Sequence, residues 1–121
     1  MKTCLVVDDS RFARKFARRI LEDLGFNVNE AEDGQQALER CMQGLPDWVL
    51  LDWNMPVMDG LVFMKEMRKL PGGREPKVLF CTTRNELPHV EKALAEGADE
   101  YIMKPYDSET VRSKLLQLGI L

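Results

Sequence analysis

Polar side chains follow four of the apolar runs in this sequence, and their types suit one kind of chemistry. They are Asp8 and Asp9 after Lys2–Val7, Asp52 after Trp48–Leu51, Thr82 after Lys77–Cys81, and Lys104 after Tyr101–Met103. Two carboxylates ~4 Å apart repel each other by roughly 4 kcal/mol at an effective dielectric of ~20. A cluster of three carboxylates would therefore have to protonate, spread apart or bind a cation.

A magnesium ion is the cation that such a cluster favours. Hard divalent ions prefer oxygen ligands, and Mg²⁺ commonly uses one or two carboxylates together with water. The metal could bridge carboxylate and phosphoryl oxygens, while Lys104 adds a positive charge and Thr82 a hydrogen-bond donor. Phosphoryl transfer depends on this kind of positioning and charge neutralisation. An aspartate in such a site can serve as the nucleophile and form an acyl phosphate.

Each of these residue types also has an ordinary structural interpretation. An acid after a strand is usually a turn former or a helix cap, and a lysine before a proline is usually solvated. A threonine at a strand end is usually a β-former or a cap. Their occurrence together after several apolar runs is harder to explain in this way, which favours a shared functional site.

The pattern of apolar residues predicts five strands that alternate with five helices. The strands are the four runs above and the more polar Phe26–Ala31, which is expected nearer an edge of the sheet. Helices are expected from Ser10 to Leu24, from Asp33-Gly34 to Gly44, from Gly60 to Leu70, from Asn85–Pro88 to Gly97, and from Asp107 to Leu118. The first helix has Ser10 as its N-cap and is expected to turn inward Ala13, Phe16, Ala17, Ile20, Leu21 and Leu24.

This alternation predicts a doubly wound α/β fold of the (βα)₅ type, with a five-stranded parallel sheet. Right-handed crossovers place helices on both faces of such a sheet, and a closed eight-fold barrel would need about twice this length. The carboxyl ends of parallel strands lie at one edge. The polar residues that follow the strands are therefore expected to meet there.

Length and composition favour one soluble domain, residues 1–121. The 45% hydrophobic and 31% charged residues are ordinary for a globular protein, and the net charge of −3 argues against general binding to nucleic acid or to a membrane surface. Three widely spaced cysteines fit neither a disulfide framework nor a zinc site. No signal peptide or membrane-spanning run is apparent. We expect a cytoplasmic protein.

The sequence resembles the receiver domains of two-component response regulators over nearly its whole length. The matching motifs are Val6-Val7-Asp8-Asp9-Ser10, Leu51-Asp52-Trp53-Asn54-Met55-Pro56, Met58-Asp59-Gly60, the strand end at Thr82, and Tyr101-Ile102-Met103-Lys104-Pro105. Each motif alone is weak, but all five in this order and at these spacings are specific. The second motif, with no output domain attached, is most similar to the single-domain chemotaxis regulators. The resemblance implies a flavodoxin-like receiver fold with strand order 2-1-3-4-5.

The resemblance also implies a role for each residue of the predicted site. Asp52 would accept a phosphoryl group from the phosphohistidine of a histidine kinase or a histidine phosphotransfer protein. Asp9, Asp52 and the backbone carbonyl of Asn54 would hold Mg²⁺, and Asp8 would bind it through water. Lys104 would pair with the phosphate, and its bond to the following proline is commonly cis in such domains.

The resemblance also implies that phosphorylation changes the structure of one surface of the domain. Thr82 would move toward the phosphate and draw Tyr101 inward, which would reshape the surface of the fourth helix, fifth strand and fifth helix for a downstream protein. The domain would catalyse its own phosphorylation and dephosphorylation but would not otherwise be an enzyme. We expect a monomer without a DNA-binding domain, in a phosphorelay for chemotaxis. A relay shuttle in stress or cell-cycle control is the alternative.

Three further features bear on how the site would work. Thr83 stands where the family more often has a very small residue, and with Asn54 and Arg84 it is expected to modulate access to the site and the lifetime of the phosphoryl group. Arg84 either leans over the site or faces solvent.

The basic residues of the first helix form either a solvated face or a docking surface for an acidic partner or an anionic nucleotide; they are Arg11, Arg14, Lys15, Arg18 and Arg19. His89 is expected to be exposed and not needed for accepting phosphate.

Two other functions fit parts of the sequence. A phosphohydrolase with an aspartyl-phosphate intermediate normally carries its nucleophile after the first strand and a second acid two residues later, whereas Asp8 and Asp9 are adjacent. A protein-binding module that no longer accepts phosphate would not need the complete set of Asp9, Asp52, Thr82 and Lys104.

Overall fold

Five parallel strands form a single sheet with helices on both faces in the computed structural model, which describes residues 2–121. The strands are β1 (Thr3–Val7), β2 (Asn27–Ala31), β3 (Trp48–Asp52), β4 (Lys77–Thr82) and β5 (Glu100–Met103). The α-helices are α1 (Arg11–Asp23), α2 (Gly34–Gln43), α3 (Gly60–Arg68), α4 (Val90–Glu96) and α5 (Ser108–Gln117). The sheet order is β2-β1-β3-β4-β5. The predicted doubly wound fold and the implied strand order are therefore confirmed.

Strand β3 lies at the centre of the sheet because it is apolar enough to be covered on both faces. All five of its residues are buried. Strands β1 and β4 pair with it in parallel, with Val7 beside Leu51 and Cys81 beside Asp52. Strand β2 lies at an edge, as its more polar sequence predicted. This register brings the ends of the three central strands to the same level.

Two apolar cores, one on each face of the sheet, hold the helices in place. Phe63 of α3 and Phe80 of β4 lie in the core beneath α2, α3 and α4. Trp48 of β3 and Leu21 of α1 lie in the core beneath α1 and α5. Burial of one such side chain contributes about 1.5–3 kcal/mol relative to exposure, so the two cores fix the strand ends firmly. Within residues 2–121 no helix has both the length and the apolar character needed to cross a membrane.

Local signals set the helix boundaries largely as predicted. The hydroxyl of Ser10 accepts a hydrogen bond from the backbone N–H of Ala13 at 3.2 Å and caps α1. Gly25 follows that helix with φ of +95°, a conformation that glycine adopts without strain. The carboxylate of Asp59 accepts from the N–H of Val62 at 2.9 Å and caps α3 directly after the loop that leaves Asp52.

The fourth helix is shorter than predicted. A 3₁₀ helix, Arg84–His89, occupies the segment where the α-helix was expected to begin, and α4 starts only at Val90. Pro88 has no N–H to donate to the carbonyl four residues earlier, so regular α-helical hydrogen bonding starts after it. The side chains of Thr83 and Glu86 form a capping box that supports the 3₁₀ turn instead.

The prediction that Phe16 points into the core is wrong. Phe16 is 44% exposed and lies beside Phe12 and Tyr106 at the edge of α1, with ring centroids 6.5 and 5.9 Å away. Arg14 is buried on this helix. The basic face of α1 is therefore not a simple solvated surface.

Candidate functional site

Three aspartates meet at the carboxyl edge of the sheet. Asp8 follows β1 and Asp52 ends β3, and the parallel pairing of the two strands places them next to each other. One carboxylate oxygen from each of Asp8, Asp9 and Asp52 lies within 4.8 Å of the other two. Asp8 and Asp52 are buried and Asp9 is exposed. An all-oxygen cluster of this size suits a hard divalent cation that enters from the solvent side.

The ammonium group of Lys104, just after β5, binds two of these acids. Its Nζ donates to Oδ2 of Asp8 at 2.7 Å and to Oδ1 of Asp52 at 3.2 Å. Burial alone would lower the pKa of Lys104, but its hydrogen bond to Asp8 and the charge of Asp52 raise that pKa above its ordinary value. The backbone N–H of Lys104 donates to the carbonyl of Thr82 at 2.7 Å, and the Lys104-Pro105 bond is cis. Lys104 is therefore a fixed positive charge beside Asp52.

The carboxyl of Asp52 is in an unfavourable place for a negative charge. Burial raises its pKa from 3.8 to about 6; the nearby Lys104 opposes this rise, and the charge of Asp8 adds to it. The side chain remains 11% exposed, so a small reactant can still reach it. A cation placed between the acids would favour the ionised form, because an opposite charge lowers the pKa of a carboxyl group.

Thr82 and Tyr101 lie on the β4–β5 side of the site. Thr82 is completely buried, and its hydroxyl donates to the carbonyl of Thr83 at 3.1 Å, so it is engaged within its own strand end. Tyr101 is half-buried against the core beneath α3 and α4, and the ammonium of Lys114 lies 4.9 Å from the centre of its ring. Thr82 thus lies at the buried end of β4, beside Met103 of β5, whereas Tyr101 lies two residues earlier on β5 and faces α5 through Lys114.

The loop between β3 and α3 requires special backbone conformations. A Cβ atom on Gly60 would lie 2.2 Å from the carbonyl oxygen of Asp52, so only glycine fits there. Val57 has φ of +69°, which is unfavourable for a β-branched residue. Asn54, whose carbonyl is the expected metal ligand, is exposed in this loop. The loop thus lies directly against the backbone of Asp52.

An aromatic contact that the sequence did not predict lies beside this loop. The rings of Trp53 and His89 are stacked, with centroids 4.7 Å apart and planes inclined by 13°. Trp53 also packs edge-on against Phe80 at 5.6 Å. His89 is exposed, as predicted. No local pattern could have indicated the stack, because Trp53 lies in the loop after β3 and His89 ends the 3₁₀ helix, and only the folded sheet brings these two segments together.

The predicted modulators Thr83 and Arg84 are both exposed at the start of the 3₁₀ helix. The N–H and the hydroxyl of Thr83 both lie within hydrogen-bond distance of Oε1 of Glu86, at 3.0 and 3.1 Å. The Thr83 side chain is therefore held by Glu86. Arg84 faces solvent, which is one of its two predicted placements.

The basic residues of α1 do not form one solvated face. Arg14, Lys15 and Arg18 all contact the carboxylate of Glu30 on β2, at 3.1, 2.9 and 2.6 Å. Although burial alone would raise the pKa of Glu30, these three cations lower it to about 2. Three of the five basic residues of α1 are thus engaged within the protein, while the single carboxylate of Glu30 offsets one of their charges.

Comparisons with known proteins give a consistent result. The family model described as the response regulator receiver domain matches residues 4–116 of this chain. Chemotaxis protein CheY-3 of Vibrio cholerae serotype O1 is 37% identical to it over 112 residues, which are 92% of this chain and 86% of that protein.

Solved structures show the same likeness. The structure of the chemotaxis protein CheY4 of Vibrio cholerae superposes with a TM-score of 0.90 at 32% identity, covering 97% of this chain and 98% of that one. The receiver domain of the sensor histidine kinase PA1611 from Pseudomonas aeruginosa, with a magnesium ion coordinated in its active-site cleft, gives a TM-score of 0.87 at 26% identity. That match covers 96% of this chain and 95% of the other.

Proposed function

Since this chain belongs to the response regulator receiver domain family, we propose that it is a signalling switch that accepts a phosphoryl group on Asp52. The observation that carries this proposal is the cluster of Asp8, Asp9 and Asp52, in which one carboxylate oxygen of each lies within 4.8 Å of the others. The ammonium group of Lys104 forms ion pairs with two of these acids, Asp8 and Asp52. A cluster with this charge pattern is suited to holding a metal and a phosphoryl group side by side.

The donor set fits Mg²⁺. Asp8, Asp9, Asp52 and the backbone carbonyl of Asn54 would hold the ion, with Asp8 bound through water. Bound there, Mg²⁺ would neutralise the negative charge of the phosphoryl oxygens. A metal site of three carboxylates also explains why these acids lie together despite their mutual repulsion.

Asp52 is the nucleophile in the proposed transfer. One oxygen of its carboxylate attacks the phosphorus of a phosphohistidine, the phosphorus–nitrogen bond breaks, and the imidazole leaves with the electron pair. The ammonium of Lys104 lies beside the oxygen of Asp52 and pairs with the transferred group. Attack by water on the acyl phosphate later restores Asp52 and releases phosphate, so the domain limits the lifetime of its own signal.

Thr82 and Tyr101 would carry the signal to the surface. We infer that the hydroxyl of Thr82 exchanges the carbonyl of Thr83 for a phosphoryl oxygen, and that Tyr101 turns further inward as space opens beside it. The complete burial of Thr82 and the half-buried position of Tyr101 support this path. The surface formed by α4, β5 and α5 would then bind a downstream protein.

A histidine kinase or a histidine phosphotransfer protein is the proposed donor, and chemotaxis is the proposed pathway. The names of the relatives CheY-3 and CheY4 support chemotaxis. A relay shuttle in stress or cell-cycle control remains the second candidate. We propose that the protein works as a monomer in the cytoplasm and regulates through protein contacts rather than through DNA.

Intact-mass measurement after incubation with Mg²⁺ and acetyl phosphate tests the proposal. We expect an adduct of about 80 Da, the mass of one phosphoryl group, in the wild-type protein and none in Asp52→Asn. Asp23→Asn, which changes an exposed carboxylate at the end of α1, is the matched control and should still form the adduct. An adduct that persists in Asp52→Asn, or no adduct in the wild type, would contradict the proposal.

The downstream partner can be sought with the same protein. A pulldown with the beryllofluoride-activated form should retain a protein that the untreated form does not. Equal retention by both forms would instead favour a binding module that is indifferent to phosphorylation.

A further inference from the structure

A buried arginine lies directly behind the aspartate cluster. Four polar or charged residues are buried within residues 2–121, and three of them, Asp8, Asp52 and Thr82, belong to the candidate site. The fourth is Arg14 of α1, which is 8% exposed. A buried guanidinium needs partners for its donors. Its partners are therefore informative.

Arg14 joins the backbone of the site to strand β2. Its Nη1 donates to the carbonyl oxygen of Asp8 at 2.8 Å, a buried hydrogen bond, and its Nε donates to Oε1 of Glu30 at 3.1 Å. The planar guanidinium has a fixed arrangement of donors, so the two acceptors are held in a set relation to each other. Glu30 is itself held by Lys15 and Arg18. The anchor for Arg14 is therefore rigid.

The carbonyl that Arg14 holds is the one that orients Asp9. The carbonyl of Asp8 and the N–H of Asp9 belong to a single planar peptide unit. Fixing that carbonyl fixes the plane of this unit, which contains the N and Cα atoms of Asp9 and so sets the point from which the Asp9 side chain projects. Within residues 2–121 the carboxylate of Asp9 has no hydrogen-bond or salt-bridge partner of its own. Its placement in the cluster therefore depends on the backbone.

We propose that Arg14 is a positioning residue for the metal: with Glu30, it fixes the peptide between Asp8 and Asp9 so that both carboxylates face the cation site. This inference rests on the proposed Mg²⁺ site. Contacts that orient metal ligands typically change metal affinity by about 10- to 100-fold when they are removed. Without Arg14, binding the ion would require ordering the turn as well.

Arg18 provides a control for a purely structural role. It also binds Glu30, at 2.6 Å, and the carbonyl of Val28 at 2.9 Å, but it does not contact Asp8. When Arg18 is replaced, Glu30 keeps its contacts with Arg14 and Lys15, so the anchor of Arg14 is retained. If Arg14 only fastened α1 to β2, then Arg14→Gln and Arg18→Gln would affect metal binding alike. If Arg14 positions the metal ligands, only Arg14→Gln weakens binding.

Trp53 follows Asp52 in the chain, so its fluorescence is expected to respond to a metal bound there. The second tryptophan, Trp48, has a buried Nε1 without a hydrogen-bond partner in the described part of the chain. Trp48→Phe keeps an aromatic ring in the core and removes the unpaired donor, at the cost of a small cavity, and thermal unfolding verifies that this background is folded before it is used. Titration with Mg²⁺ in this background gives a dissociation constant for each variant.

We expect Arg14→Gln to raise the Mg²⁺ dissociation constant about 10-fold or more, and Arg18→Gln to change it by less than about twofold. Phosphorylation by acetyl phosphate should be slow for Arg14→Gln at low Mg²⁺ and should recover when Mg²⁺ saturates. Arg14→Lys keeps the charge but can reach only one of the two acceptors, so an intermediate constant is expected. It replaces Arg14→Gln if thermal unfolding shows that the glutamine variant is not folded; the criterion is then a Mg²⁺ dissociation constant above that of Arg18→Gln, and an equal or lower constant would overturn the role of Arg14.

The outcomes separate this inference from the proposed function. Equal Mg²⁺ affinity in Arg14→Gln and its parent, or an equal loss in Arg18→Gln, would overturn the role of Arg14 while leaving the metal site intact. A parent protein that shows no Mg²⁺ binding at all would overturn both.

Discussion

Replacing the proposed phosphoacceptor should make the metal-free protein more stable at neutral pH. Burial raises the pKa of Asp52 in the folded protein from 3.8 to about 6. The stability that this group contributes is therefore fully present below about pH 4 and is lost as the pH rises through about 6. Asparagine has nearly the same shape and carries no charge. Asp52→Asn should remove the penalty that the wild type carries when Asp52 is ionised.

The size of the effect follows from the pKa. A rise from 3.8 to about 6 corresponds to about 3 kcal/mol of unfolding free energy, at 1.36 kcal/mol for each pKa unit. Part of this gain is offset because an amide oxygen accepts the hydrogen bond from Lys104 less strongly than a carboxylate does, and because water screens the partly exposed group. We expect Asp52→Asn to be more stable by about 1–3 kcal/mol above roughly pH 7, and the difference to disappear near pH 4.

Urea unfolding with a chelator present, at a series of pH values, measures this difference. Glu39→Gln, which removes an exposed carboxylate from α2, is the control and should show no comparable rise between acid and neutral pH. Excess Mg²⁺ should then stabilise the wild type more than Asp52→Asn and narrow the gap. A variant that is no more stable than the wild type at neutral pH without metal, or a difference that does not depend on pH, would refute the reasoning.

Three smaller predictions concern the surroundings of Asp52. Gly60→Ala places a Cβ 2.2 Å from the carbonyl oxygen of Asp52. It should lower the free energy of unfolding by about 2 kcal/mol or more in urea, and intact-mass measurement should show less phosphoryl adduct after incubation with acetyl phosphate. Val57→Asn should raise stability by about 1 kcal/mol in the same unfolding assay, because asparagine tolerates the positive φ better than valine does. His89→Ala removes the ring stacked on Trp53 and should shift its fluorescence emission in the Trp48→Phe background, with phosphorylation by acetyl phosphate retained.

Each of these predictions has a clear counter-result. Gly44→Ala is the control for Gly60→Ala because no neighbouring atom lies within 4 Å of the added Cβ and φ is 173°; equal effects of the two substitutions would exclude a steric cause. A Val57→Asn protein less stable than the wild type would mean that the valine side chain makes a contact worth more than the backbone strain. Unchanged emission in His89→Ala would show that the stack is not populated in solution.

The sequence by itself determined the order of the elements and the edge of the sheet at which the polar residues meet. Apolar runs and helical spacing are local patterns, and the caps at Ser10 and Asp59 are local hydrogen bonds. Alternation of strands and helices allows few topologies, because crossovers are right-handed. The convergence of Asp8, Asp52 and Lys104 follows from that topology, since parallel strands end at one edge.

Only the tertiary structure decided which polar residues are buried and what they hold. Spacing placed Phe16 inside and Arg14 outside, yet Arg14 is buried, because the Asp8 carbonyl and Glu30 supply partners for its guanidinium. Likewise, the stack of His89 on Trp53 exists because the sheet brings the loop after β3 next to the end of the 3₁₀ helix. A periodic pattern of apolar residues indicates which face of a helix or strand is apolar on average, but not the surroundings of any single residue. Whether a charge can be buried depends on partners from distant strands, and only the assembled fold provides them.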